Sequence, residues 1–361
     1  MRVLHSESST GWGGQENRTL NEMIAMRERG HEMAVVSRPG ARILERAKEA
    51  GFPVYAVDMR GALDLPAIFK LRCLMRDFRA DIVNTHSGRD TQLAGMAARS
   101  LGRKRPRIVR TRHLALPITS KFTYSTVSDM VVAVSSHVRN YLVSAGVPAA
   151  KVVSIPTGID LSRYAPLAGG GALKNELGLP DGTILVGTVA ILRVKKGHAD
   201  LFRAAKTVLE EFPDAHFVIA GDGPQTQNLQ RLIGELGLES RVHMLGLRRD
   251  VMNVLQSLDL FALPTHQEAL GTAFIEAGAV GLPVVATDVD GVPEVVVNDE
   301  TGVLVPPKDP AALAAAIIGL LRDPVRRRQF GDSARCRVGS EFSREIMAQR
   351  MEKLYVELQG H

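Results

Sequence analysis

The chain is predicted to be an α/β protein with two doubly wound, parallel-sheet domains in tandem, and three observations carry that prediction. Residues 2–5 (RVLH) read as an apolar strand, the glycine-rich stretch 6–14 (SESSTGWGG) as a turn, and Gln15, Glu16 and Asn17 as the opening of a helix. The same order returns at 184–198, where the strand ILVGTV leads through a turn into a helix near His198. Between the two, 165–172 (APLAGGGA) has the composition of a linker. A chain of 361 residues with 45% hydrophobic content is long enough for two ordinary cores and is neither disordered nor fibrous.

In the first half, MAVV at 33–36 is the second strand, and a basic helix carries Lys70, Arg72, Arg76 and Arg79. Segments 81–86 (DIVNTH) and 107–113 (RIVRTRH) are strands ending in His86 and His113. A strand-end histidine is often structural, satisfied by neighbouring backbone. Ligands in α/β sheets nevertheless collect beyond the carboxyl ends of the strands, and the parallel placement of these two favours a ligand site. VVAV at 131–134 and VVSI at 152–155 complete the sheet. A dinucleotide site expects an acid at the end of the second strand, but MAVV runs into Ser37, which disfavours NAD.

In the second half, ILVGTV is followed by Arg193, Lys195, Lys196 and Gly197. FVIA at 217–220 runs into the turn Gly221, Asp222, Gly223, Pro224, and VHMLG at 242–246 into Leu247. The most informative stretch is 263–294. The strand LDLFAL (258–263) stops at Pro264, Gly271 and Thr272 open a short helix, Gly281 and Pro283 close it, and VVA at 284–286 is a strand buried on both faces. The start of that helix exposes free backbone N–H groups at the positive end of its dipole, a place for phosphate. Glu268 lies just before it and Glu276 within it. The dipole alone would favour a glutamate there; as a ligand group, Glu276 would accept hydrogen bonds from ribose hydroxyls. A strand at 301–306, a helix at 310–321 and an amphipathic helix at 342–355 end the chain.

Glu268 and Glu276 with seven residues between them, followed by PVVATDVDGVPE at 283–294, resemble the E-x7-E signature and the next strand and loop of the retaining family-4 glycosyltransferases of the GT-B fold. The resemblance runs the length of the chain. Gly13, Gly14, Gln15 and Glu16 fit the family's GG-x-E turn, PTGID at 156–160 is similar to P-N-G-V-D with Thr157 in place of Asn, and 221–224 matches G-x-G-P. The G-R-L-x-x-x-K-G element departs from the pattern: Ala190 and Ile191 replace Gly-Arg, and Arg193 comes two positions later.

That resemblance implies two Rossmann-like domains facing across a cleft that closes to exclude water, with the last helix crossing back to the first. Domain one would be 1–164 plus 341–361, the linker 165–175, and domain two 176–340. It implies a nucleotide-sugar donor, a UDP-sugar favoured over a GDP-sugar, bound by Gly13, Gly14, Arg193, Lys196, Leu247, Leu270, Gly271, Thr272 and Glu276. His113, Glu268, Arg193 and Lys196 would be the catalytic set, Glu268 orienting the transferred sugar. His86, Gln15 and Glu16 would face the acceptor. Leaving-group departure concentrates charge on phosphate, and Arg193 and Lys196 would stabilise it in place of a metal ion, so neither metal nor cofactor is expected.

Asp288 and Asp290 form a D-x-D triplet, the metal signature of the other large glycosyltransferase fold; in this context an Asx-type turn is expected instead. Cys73 and Cys336, far apart, indicate neither a disulfide framework nor zinc. Residues 1–160 hold 24 Lys and Arg against 14 Asp and Glu, whereas the remainder is net acidic. The basic excess, dense at 99–112, reads as a solvated face or as a surface for anionic membrane and phosphorylated lipid. Low aromatic content gives no stacking platform for nucleic acid. Without a long apolar run, and with MRVLHSES entering a strand directly, the expected location is cytoplasmic, peripheral to the inner membrane face. The expected function is retaining transfer of a hexose to a saccharide or glycolipid acceptor, in lipopolysaccharide or other cell-surface polysaccharide synthesis. The alternatives are a nucleotide-sugar 2-epimerase of similar fold and a catalytically silent nucleotide-binding protein, against which Glu268, Glu276 and Lys196 count.

Overall fold

The computed structural model describes every residue except Thr119, Pro166, residues 168–170 and His361. The chain divides into two compact units, Met1–Ile159 with Glu341–His361, and Asp160–Ser340. In the first, strands β1 (Arg2–Glu7), β2 (Glu32–Ser37), β3 (Val54–Ala56), β4 (Ile82–Thr85), β5 (Arg107–Arg112), β6 (Met130–Ala133) and β7 (Val152–Ser154) form a parallel sheet of order β3-β2-β1-β4-β5-β6-β7. Helices cover both faces, so the inner strands are buried on both sides: β1 from Val3 onward and β4 throughout.

The second unit repeats the plan with β8 (Leu185–Val189), β9 (His216–Ala220), β10 (Val242–Gly246), β11 (Leu260–Leu263), β12 (Val284–Thr287) and β13 (Gly302–Val305), in the order β10-β9-β8-β11-β12-β13. One of its cores gathers Phe202, Phe217, Leu260, Val285 and Ile317. Strand order reverses between β1 and β4 and again between β8 and β11. At each reversal the following loops leave toward opposite faces and open a crevice at the carboxyl ends.

The division falls at Ile159, ahead of the expected 164, for a hydrogen-bonding reason. The Ile159 amide donates to the Phe342 carbonyl at 2.8 Å and the Arg344 amide donates to the Ile159 carbonyl at 2.8 Å, which ties 159 to the returning segment. Asp160, by contrast, caps the 3-10 turn Leu161–Tyr164 of the second unit. Of the expected linker 165–175, Pro166 and residues 168–170 lie outside the described residues; Leu173 is buried, and its amide donates to Ser257 Oγ at 3.1 Å.

The last helix, Arg344–Gln359, belongs to the first unit, as expected. Its apolar face places Met347, Met351, Leu354 and Tyr355 in one core with Met23 and Met26 of helix Gly14–Glu28. No helix among the described residues is long and apolar enough to cross a membrane.

The basic run at 99–112 is not one solvated patch. Arg110 is buried with its guanidinium 3.7 Å from the centre of the Tyr124 ring, and Arg105 pairs with Asp129 at 2.6 Å, while Arg103 and Lys104 remain exposed. Alternation along β5 turns some of these cations inward, where they hold loops. Truncating the buried Met351 to alanine should cost about 2–5 kcal/mol, read as a lower urea midpoint with unchanged slope. An unchanged midpoint would mean that the last helix does not stabilise the first unit.

Candidate active site

The second unit brings Lys196, Glu268, Gly271, Thr272 and Glu276 to the carboxyl-end crevice beside β8 and β11. After β8 the chain makes the 3-10 turn Val194–Lys196 and reaches Gly197 at φ +71°, where a Cβ would lie 1.8 Å from the Pro264 carbonyl oxygen. Only glycine allows that approach. The Lys195 carbonyl then accepts from the His266 amide at 2.7 Å and from Thr265 Oγ1 at 2.9 Å, fastening the loop after β8 to the loop after β11. His266 Nε2 meets Asp200 at 2.7 Å.

Within this frame Lys196 Nζ and the Glu268 carboxylate form an ion pair, each side chain about 15% exposed. The Glu268 amide donates to Asp290 Oδ2 at 3.0 Å, and Glu268 O accepts from the Gly291 amide at 3.0 Å. One member of the D-x-D triplet therefore holds the backbone of Glu268. At Gly271, φ +94°, a Cβ would lie 3.2 Å from Glu268 Cγ and 2.4 Å from the Phe274 ring, which shows how closely Glu268 approaches the start of helix Thr272–Ala279. That helix has no side-chain cap, so its first amides are left unsatisfied by side chains.

Glu276, on the same helix, accepts the Tyr164 hydroxyl; burial raises its carboxyl above the ordinary range and the hydroxyl opposes that shift. Leu270 is buried under the loop. Arg193 is exposed on the turn before Lys196, and Leu247, 78% exposed after β10, is not drawn into the cluster.

The first unit assembles a different group. Gly13 and Gly14 begin helix Gly14–Glu28, and the Gly13 amide donates to Glu16 Oε2 at 2.9 Å. Gln15 donates to the Glu7 carboxylate. Gln15 and Glu16, expected with His86 to face the acceptor, are thus engaged in holding the loop itself. Burial, with Asp90 nearby, pushes the Glu7 carboxyl up to about 8.

His86 Nδ1 lies 3.1 Å from His113 Nε2, and His86 Nε2 lies 3.0 Å from His5 Nδ1. At 4% exposure the His86 ring offers almost no surface to a ligand, so its expected acceptor contact is corrected to a place behind His113, which is half-buried. Burial lowers all three imidazoles, His86 and His113 well below the ordinary value.

Sequence reasoning missed His5, Glu7, Glu22 and Tyr164. His5 alone carried a signal, since it repeats near the end of β1 the placement of His86 and His113. Tyr164 had none; it becomes a partner of Glu276 only through the path of the chain after Ile159.

Two family models tile the chain: Glycosyltransferase Family 4 over residues 12–163, and Glycosyl transferases group 1 over residues 171–337. The chain belongs to the family-4 glycosyltransferases. Among curated relatives, a GDP-mannose-dependent monoacylated alpha-(1-6)-phosphatidylinositol monomannoside mannosyltransferase of Corynebacterium glutamicum is 34% identical over 55% of this chain and 54% of its own length, so that match spans about half of the relative. A UDP-Gal:alpha-D-GlcNAc-diphosphoundecaprenol alpha-1,3-galactosyltransferase of Escherichia coli is 27% identical over 82% of this chain and 80% of its own. Among solved structures, Anabaena Alr3699/HepE in complex with UDP-glucose superposes with a TM-score of 0.86 at 22% identity, covering 99% of this glycosyltransferase and all of that chain, which establishes the fold as GT-B.

One buried group beside the lysine gives the site of this glycosyltransferase a pH signature. His198 is 2% exposed, neither ring nitrogen has a partner among the described residues, and burial with Lys196 nearby lowers it to about 4. In the unfolded chain it takes up a proton near pH 6.5, before the folded protein does. Its stabilising contribution is therefore complete above pH 6.5 and is lost as pH falls toward 4. Relative to His198→Leu, the wild type should lose about 3 kcal/mol over that window in urea titrations; parallel pH profiles would rule the shift out.

Proposed function

We propose that this protein is a retaining glycosyltransferase that moves a sugar from a nucleoside-diphosphate sugar to a saccharide or glycolipid acceptor. The observation that carries the reading is the Lys196–Glu268 pair set against an uncapped helix start, with Glu276 on the same helix. The diphosphate takes the helix amides and the Lys196 ammonium, with Arg193 swinging in from the exposed turn. Glu276 accepts the ribose hydroxyls in place of the Tyr164 hydroxyl, backbone near Leu247 contacts the base, and Glu268 orients the sugar once phosphate competes for Lys196.

In the step itself the bond from the anomeric carbon to the phosphate oxygen breaks, and a bond from that carbon to the acceptor oxygen forms on the same face. The acceptor proton passes to a phosphate oxygen. His113 contacts the transferred sugar, and the first unit carries the acceptor, with the loop of Gly13 and Gly14 beside it. No metal or cofactor takes part in this reading. Lys196 and the helix dipole stabilise the growing diphosphate charge, a role whose loss costs on the order of 100- to 1000-fold in rate.

The relatives' names divide between GDP-mannose and UDP-galactose, and the complex of matching fold holds UDP-glucose. We take a UDP-sugar as the first donor to test, and cell-surface polysaccharide or lipopolysaccharide synthesis at the inner membrane face as the setting. Exposed Arg103 and Lys104 support a peripheral contact with anionic lipid.

Calorimetry with UDP, GDP and ADP in excess EDTA tests the donor site. One nucleotide should bind, and Glu276→Ala should weaken it about tenfold or more. Binding of none, or binding that needs a divalent ion, would overturn the metal-free site and return attention to Asp288 and Asp290. Lys196→Ala should lower kcat on the order of 100-fold or more while the fold persists; an unchanged kcat would remove Lys196 from the chemistry. Conversion of the donor sugar without acceptor would replace transfer by epimerisation.

A further inference from the structure

Behind His113 the first unit holds a column of polar side chains that donor binding does not require. His5, His86 and His113 stand on the neighbouring strands β1, β4 and β5 or just beyond their ends; the His5 and His86 rings are stacked at 11°, and His86 and His113 are tilted at 35°. The column ends at Glu22 of helix Gly14–Glu28, fully buried, whose Oε1 lies 3.7 Å from His5 Nε2. Glu22 Oε1 also accepts the Tyr355 hydroxyl at 2.7 Å and the Asn84 carboxamide at 3.3 Å. Asn84 donates to the Tyr355 oxygen at 2.9 Å and accepts from Thr111 Oγ1 at 2.9 Å.

Each contact between two neutral imidazoles requires one protonated nitrogen and one bare nitrogen. The column therefore has two consistent settings, and the choice at one end fixes the other. Glu22 decides it. Its Oε1 accepts two hydrogen bonds, from Tyr355 and Asn84, and so turns an acceptor oxygen toward His5. A bare His5 Nε2 would set a lone pair against that oxygen. A protonated one faces it favourably, and His5 Nε2 has no hydrogen-bond partner among the described residues.

With the proton on His5 Nε2, His5 Nδ1 accepts from His86 Nε2–H, and His86 Nδ1 accepts from His113 Nε2–H. Thr19 Oγ1, 3.4 Å from His86 Nε2 and 3.5 Å from Nδ1, donates its proton to the Gln15 carbonyl, so it can only accept from the ring and favours neither nitrogen.

We propose that Glu22 is a positioning residue which, through His5 and His86, fixes His113 as the Nε2–H tautomer, so that a bare Nδ1 is presented to a hydroxyl of the transferred sugar. The sugar hydroxyl then donates and His113 accepts. This rests on the reading that His113 contacts the transferred sugar. The tautomer itself, however, is a property of the free protein and can be read without any transfer reaction. Tyr355 lies on the returning C-terminal helix, so that helix takes part in setting the ring as well as in packing.

The test is two-bond nitrogen–proton correlation spectroscopy on the full chain labelled with 15N-histidine, for the wild type, Glu22→Gln and His5→Phe. In the wild type His113 should show a protonated Nε2 and a bare Nδ1. In either variant the bias is removed, and His113 should become a mixture of both tautomers. Kinetics of Glu22→Gln should show kcat lowered about tenfold, with KM for the nucleotide-sugar within about twofold.

A wild-type His113 protonated at Nδ1, or charged at neutral pH, overturns the proposal. So does a folded Glu22→Gln in which the single tautomer persists. If Glu22→Gln does not fold, His5→Phe decides by the same spectrum. An Nε2–H tautomer in a protein without transfer activity would defeat the proposed function and leave the column standing.

Discussion

The carbonyl oxygen of Lys195, receiving the His266 amide and the Thr265 hydroxyl, is the contact on which the second unit's site depends. Parallel strands β8 and β11 are neighbours in space but 70 residues apart in sequence, and their trailing loops would otherwise be independent. Two hydrogen bonds to one oxygen, with Gly197 pressed against Pro264, make them one piece. The Lys196 ammonium is thereby held against the Glu268 carboxylate, which stands just ahead of helix Thr272–Ala279. The Gly197 backbone leaves no room for a side chain, so the position of the cation is set by sterics as much as by charge.

The first unit solves a different problem, that of burying ionisable groups beneath a sheet end. Glu7, Arg18, Glu22 and Asp90 are all inaccessible, and burial raises Glu7 and Asp90 and lowers Arg18. Such groups are tolerable only where polar partners surround them. Here the partners come from neighbouring strands, the first helix and the returning C-terminal helix. Asp90 receives the amides of His86 and Ser87, Glu7 receives Gln15 and the Ser9 amide, and Glu22 receives Tyr355 and Asn84. Tyr355, 333 residues downstream of Glu22, thus contributes to the same polar cluster. Removing it would expose more than apolar surface.

Much of the architecture was legible because its signals are local. Short apolar runs bounded by turn residues, such as 33–36 and 284–286, read as strands buried on both faces. Glycines at 197 and 271 mark turns that other residues would strain, and the amphipathic pattern at 342–355 requires a partner face. The spacing of Glu268 and Glu276 places one carboxylate before a helix and one upon it whatever the tertiary context. Read without a fold, however, the arginines at 99–112 looked like a continuous basic surface; strand alternation and the Tyr124 ring turn Arg110 inward. Likewise Gln15 and Glu16 looked free to meet a ligand, whereas loop closure engages both.

The sequence by itself determined two doubly wound units, the order of their strands along the chain, and the residue types gathered in the stretch from Pro264 to Glu294. Those follow from periodicity and turn chemistry, which act over a few residues. Only the tertiary structure decided that His86 stands behind His113, that Glu22 closes the column of rings, that Tyr164 rests on Glu276, and that the second unit starts at Asp160. Each depends on strand order, on register, or on where a distant segment returns. These are long-range pairings fixed by the whole core, and no local pattern in the chain encodes which side chain will be found on the other side of a contact.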